Sequence, residues 1–193
     1  MQDQELRALA DEIAKHLDGF TVHQEYAPTV FLKHPDGREL VLHDEGWTRQ
    51  CGRIWVGGVY PKSDYRTTHF HITAAAERGG EAIAKDITRK LLPKYVEELA
   101  QVVSYNEREK MDAHHRELAQ DMLVRIIPGA SVPPHYPDRI FFYNSAGVSR
   151  GEVRLNHDGS SGDIELRSVS IQTLTLIAEL LQKQYMQPRE KGN

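Results

Sequence analysis

Residues 94–129 read KYVEELAQVVSYNEREKMDAHHRELAQDMLVRIIPG. The pattern stays helical from Lys94 to about Ile127, where Pro128-Gly129 stops it. Such a helix of roughly 33 residues would be about 50 Å long. A compact chain of 193 residues has a radius of gyration of roughly 16 Å. One unbroken helix must therefore reach across the molecule or project from it. Its middle, SYNEREKMDAHHRE (104–117), offers only Tyr105, Met111 and Ala113 as apolar or part-apolar side chains. A stretch so polar is mostly wet and reads as a bridge between lobes or the arm of a dimer. Val103, Met111, His115, Leu118 and Met122 form a narrow stripe along it. That stripe is expected to be a seam, against a second copy or against the chain folded back. Charging His115 would oppose its burial there, so acid is expected to weaken the seam.

Outward from this helix, both flanks read as strands followed by helix. On the N-terminal side, Leu6, Leu9, Ile13 and Leu17 fall at helical spacing and Gly19 ends the run. TVHQEY (21–26), TVFLKH (29–34) and ELVLHDE (39–45) follow as strands, the last two joined by the turn residues Pro35-Asp36-Gly37. RIWVGGVY (53–60) and TTHFHITA (67–74) continue the sheet, and Gly57-Gly58 suggests a bulge or bend. Ile83, Ile87 and Leu91 then repeat at helical spacing, and Pro93 should kink that helix, end it or open the next. On the C-terminal side, PGASVPPHYPD (128–138) has the proline content of a stiff linker. RIFFYN, GEVRLN and DIELRS are strands, with H-D-G-S-S-G closing the last hairpin. Ser168 or Ser170 can cap a final helix whose inner face would be Ile171, Leu174, Ile177 and Leu181.

The expected fold is α+β: two β-rich antiparallel lobes, each followed by helix, joined by a long central helix. The divisions are an N-terminal lobe (1–103), the connecting part of the long helix (104–127), the proline-rich linker (128–138) and a hairpin-plus-helix lobe (139–193). A lobe of some 65 residues buries only ~60% of its unfolded surface, so it should lean on the long helix or on another subunit.

Composition excludes several classes. The formal net charge is −4, and residues 1–103 hold 13 Lys/Arg against 16 Asp/Glu. Neither part is basic, so net charge gives no footprint for nucleic acid, although a local patch remains open. A single cysteine, Cys51, allows no intrachain disulfide and no multi-cysteine zinc site. It reads as an inert small hydrophobe. The first residues, MQDQELRALADE, contain no apolar stretch of the secretion-signal kind, and no apolar run approaches the ~20 residues that span a bilayer. The expected location is the cytoplasm, with no membrane partner. No glycine pair has the spacing of a phosphate-binding loop, and no cofactor is expected.

The sharpest chemical feature is T-H-F-H-I-T (68–73). On a strand His69 and His71 would share a face, with Phe70 and Ile72 on the other. Zinc needs three or four ligands, and nothing in the sequence places a third beside them, although His43-Asp44 and His114-His115 carry suitable atoms. His71-Ile72-Thr73 resembles the H-x-T strand motif of two-histidine phosphodiesterases. Those enzymes need a second copy to supply both acid and base, and this chain has none. The histidines are expected to be structural or solvent-facing. His69 and His71 stay as weak metal candidates, and a metal-dependent hydrolase built on them is one alternative reading.

The best recognition surface is GWTRQCGRIWVGGVYPKSDYR (46–66). It interleaves aromatic and basic side chains, a mixture that anchors proteins or stacks bases. The residues chosen are Trp47, Arg49, Arg53, Tyr60, Lys62, Tyr65 and Arg66. Over residues 46–80 five Lys/Arg face two acids. EAIAKDITRKLLPKYVEELAQVV (81–103) resembles segments of small proteins encoded by phages and prophages. That resemblance implies a genomic setting, in which accessory factors and inhibitors of host defence systems are frequent. The expected function is therefore non-catalytic binding of a protein partner, with a nucleic-acid-binding accessory role as another alternative.

Overall fold

The computed structural model describes residues 3–26, 29–44, 52–145 and 147–186. The chain divides into two compact units, residues 1–107 and 108–193.

The first unit opens with α1 (Asp3–Lys15), which buries Leu6, Ala10 and Ile13. Five strands follow as an antiparallel meander in sequence order: β1 (Thr21–Tyr26), β2 (Thr29–Lys33), β3 (Glu39–Asp44), β4 (Arg53–Gly58) and β5 (His71–Ala75). The β2–β3 turn forms as its residues dictate. Gly37 N donates to His34 O and Arg38 N donates to the Asp36 carboxylate. Alternation sorts the side chains of the sheet. Val30, Leu32, Leu40, Leu42, Ile54, Val56 and Ala74 point to one face and are buried with the apolar residues of α1 and of the helices after β5. Phe31, Val41, His43, Trp55, His71 and Thr73 take the other face by register.

After a 3₁₀ turn (Ala76–Arg78), α2 (Gly79–Asp86) passes through a π-helical stretch, Ile87–Leu91, into α3 (Leu92–Ile126). Pro93 explains the π turn. Proline lacks the N–H of a helical hydrogen bond, and its ring crowds the carbonyl four residues back. The wider turn, with Leu92 N donating to Ile87 O, takes up that misfit, so the helix continues where a kink, a stop or a new start was expected. α3 is a single helix through the polar middle. Asp86, buried at the α2 end, binds Arg78 (2.6 Å), Lys90 (2.9 Å) and Arg89 (3.2 Å). Hydrogen bonds from Lys90 and Arg78 hold its carboxyl down to about 2.

The second unit is a three-stranded antiparallel sheet, β6 (Arg139–Ser145), β7 (Val148–Leu155) and β8 (Gly162–Val169), followed by α4 (Ile171–Met186). Ile140, Phe142, Val148, Val153 and Leu155 form its core, covered by Ala119, Leu123, Val124 and Ile127 from the end of α3 and just beyond. The proline-rich segment is tied in: Ser131 pairs with Phe141, Ala130 packs on the core, and Gln120 donates to Pro137 O. The fold is α+β, with a five-stranded and a three-stranded antiparallel sheet and a long central helix, as the sequence predicts. No helix among the described residues is long and apolar enough to cross a membrane.

Three expectations need correction. Gly57-Gly58 makes no bulge: both residues stay in register with β3. A Cβ on Gly57 would collide with the Trp55 ring, and one on Gly58 with the Tyr95 ring. Close approach is what needs glycine here. Next, TTHFHITA is not strand throughout, since β5 begins at His71. His69 lies outside it with φ +52°, a backbone state unusual away from glycine. Last, α4 is capped as expected, by Ser170 Oγ accepting from Thr173 N at 3.2 Å, but of its expected inner face only Ile177 is half-buried. Ile171, Leu174 and Leu181 are exposed, and no α4 residue joins the apolar cluster of the second unit.

Candidate functional site

The site grows from the connection between β4 and β5. Residues 59–70 are fastened to the first part of α3 by one buried acid. Glu98 accepts a 2.5 Å hydrogen bond from the Tyr60 hydroxyl and another from the Thr68 N–H. Burial pushes the Glu98 carboxyl up, but these two donors outweigh it and leave it below the ordinary carboxylate range. Burial, reinforced by the Glu98 charge, raises the Tyr60 phenol, so it stays a donor. Further along, the Tyr65 hydroxyl donates to Gln101 Oε1 (2.7 Å), and Asn106 donates to Lys62 O (3.2 Å). Tyr95, fully buried, accepts from Glu39 N and donates to Val59 O.

This fastening leaves a concavity on each side. One, of about 400 Å³, lies toward α3 and includes Phe70, Lys94 and Glu98. The other, of about 580 Å³, opens on the outer face of the sheet and includes Trp55, Tyr60, Lys62 and His69. Tyr65 and Arg66 line both. Beside the larger concavity runs an aromatic row across three strands. His43 meets Trp55 edge-on at 4.6 Å, and Trp55 stacks on His71 at 5.2 Å. His69 meets Tyr60 edge-on at 5.8 Å.

Of the residues chosen from the sequence, Tyr60, Lys62, Tyr65 and Arg66 come together at this larger concavity. Arg53 lies apart, its guanidinium bonded to Thr73 O and Oγ1. Trp47 and Arg49 lie outside the described residues. Trp55 and His69 belong to the surface but were not in the sequence choice. The signal for Trp55 was available, since β3, β4 and β5 pair in sequence order and alternation puts His43, Trp55 and His71 in one row; His69 had none, because it lies outside β5 with a left-handed backbone. Lys62 and Arg66 are exposed, and neither forms an ion pair among the described residues.

The two metal candidates each place one ring nitrogen near a neighbouring oxygen. His69 Nε2 lies 2.8 Å from Thr67 Oγ1, and His71 Nδ1 lies 3.2 Å from His69 O. The group of metal-ligand atoms found close together among the described residues is Glu109, Asp112 and His157, in the second unit. It includes neither histidine. There His157 Nε2 lies 3.0 Å from Glu109 Oε1, within hydrogen-bond distance. In the proposed seam, Val103, Met111, Leu118 and Met122 are 42–56% exposed and His115 is open as well. Among the described residues, nothing folds back over this stripe.

The fold and this surface define an α+β protein with an aromatic, cationic concavity on an open sheet face. Comparisons of the chain with protein-family models, with curated proteins and with solved structures return no match.

Proposed function

We propose that the protein acts by binding another protein, without catalysis, through the concavity lined by Trp55, Tyr60, Lys62, Tyr65, Arg66 and His69. The observation that carries this is the pairing of half-buried rings with two exposed cations, Lys62 and Arg66, that form no ion pair with a described acid. Aromatic side chains and arginine dominate the energetics of protein interfaces. A partner presenting an apolar side chain beside a carboxylate would fill the hollow and pair the cations. The same composition suits a nucleic acid less well. Bases stack on free ring faces, whereas Trp55 already stacks on His71 and Tyr60 is met by His69 and Tyr95. The resemblance of residues 81–103 to phage and prophage segments extends the proposal to biology: an accessory factor of a mobile element, binding a protein of the host, with defence systems as the target class.

The test is a paired capture from the native host with wild-type chain and with Arg66→Glu, each with and without nuclease. A protein retained by the wild type and lost by the variant supports the reading. Retention by both, or nuclease-sensitive retention with steep salt dependence, overturns it.

A further inference from the structure

The second unit carries two apolar stripes that no described residue covers. One is on α4, where Ile171, Leu174, Leu181 and Tyr185 are 47–90% exposed. At 100° per residue they fall, with Ile177 and Ala178, in one arc of roughly 120°. The other is on α3, where Met111, Leu118, Met122 and Ile126 are 53–66% exposed. This α3 stripe lies about 120° around the helix from the residues that cover the sheet. α3 thus has two apolar faces here, one on its own sheet and one bare.

An isolated helix of α4's length is marginal in water, because helices in proteins draw most of their stability from a buried face. The sixteen residues of α4 need a cover. We infer that the cover is a second copy of this chain, in a two-fold pair where α4 of each copy lies along the bare α3 stripe of the other. Lengths agree: α4 spans about 24 Å and Met111 to Ile126 about 22 Å, at 1.5 Å per residue. Areas agree as well. At roughly 180 Å² for a fully exposed large side chain, the eight residues offer on the order of 900 Å² per copy. The pair would then bury ~1,800 Å², inside the ~1,200–2,000 Å² range of stable interfaces. A symmetric contact of α4 with α4, or of α3 with α3, would leave the other stripe open. The exchange covers both and closes on itself, so it ends at two copies. It gives the expected seam its missing half, and it uses none of the residues of the proposed binding surface.

The experiment uses the full chain with its one cysteine replaced, Cys51→Ser. Light scattering over a concentration series should show a dimer. Leu118→Asp and Leu181→Asp, both at positions exposed in the single chain, should each give a folded monomer by circular dichroism. Single cysteines are then placed in separate chains, Leu118→Cys in one and Ala178→Cys in the other. Under mild oxidation the mixture should form a mixed disulfide dimer that neither chain forms alone. A wild-type monomer at every concentration overturns the inference, as do disulfides formed only between identical chains.

Discussion

Replacing Glu98 by alanine tests whether one buried carboxylate holds the connection between β4 and β5. The side chain is 7% exposed, and its two oxygens accept from Tyr60 and from Thr68 N. A hydrogen bond to an ionised acceptor contributes about 1.5–3 kcal/mol. Both are lost in Glu98→Ala. Thr68 is exposed and water can take over part of its bond, so the expected cost is about 3–5 kcal/mol, of a total in the range ~5–15 kcal/mol. Glu98→Gln keeps one acceptor for Thr68 N but offers an amide where Tyr60 donates, at a cost of about 1–2 kcal/mol. The sign with pH follows from the depressed Glu98 carboxyl. Its stabilisation is full above the ordinary carboxylate range and is lost as pH falls below it. The gap between wild type and Glu98→Gln should therefore narrow below about pH 4. Urea unfolding supplies the energies, and amide exchange across residues 59–70 reports whether the loop has come loose. If Glu98→Ala stays within about 0.5 kcal/mol of wild type with unchanged exchange in those residues, Glu98 does not hold the loop.

Asp86 should add a second acid-sensitive step. Its carboxyl is held to about 2, so the stabilisation it gives is present above about pH 4 and drains away toward about pH 2. Asp86→Asn should flatten the stability profile over that window, and an unchanged slope in acid titration would refute the assignment. Gly58→Ala drives a Cβ into the buried Tyr95 ring. Overpacking of this kind costs about 1–3 kcal/mol, and an unchanged urea midpoint would show that Tyr95 has room to move.

The elements of the fold were legible because each rests on a local signal. Helical spacing marked Leu6 to Leu17, turn residues marked the β2–β3 hairpin, and the pair Ser168 and Ser170 marked the start of α4. What stayed hidden depends on what each element packs against. Pro93 reads as a break until the π turn that precedes it is seen. Gly57 and Gly58 read as a bulge because a ring lying over a glycine leaves no trace in strand periodicity. On α3 the sequence offered the stripe of Met111, Leu118 and Met122, whereas Ala119, Leu123 and Ile127 meet the sheet. Both sets repeat at helical spacing, and only the tertiary contact chooses between them. The site was half legible. Interleaved aromatics and cations pointed to Tyr60, Lys62, Tyr65 and Arg66, but Trp55 and His69 joined them through strand register and a left-handed backbone at His69 that composition does not encode.

The central claim is that a protein partner is held at Tyr65 and Arg66. Its most direct test is calorimetric titration of the purified partner into the wild-type chain, into Tyr65→Ala and into Arg66→Glu, each checked for folding by circular dichroism. Hot-spot residues of this kind contribute about 2 kcal/mol or more. Each substitution should therefore weaken binding by roughly 30-fold or more and leave the stoichiometry unchanged. Equal affinity for all three proteins would place the partner elsewhere on the molecule and contradict the account.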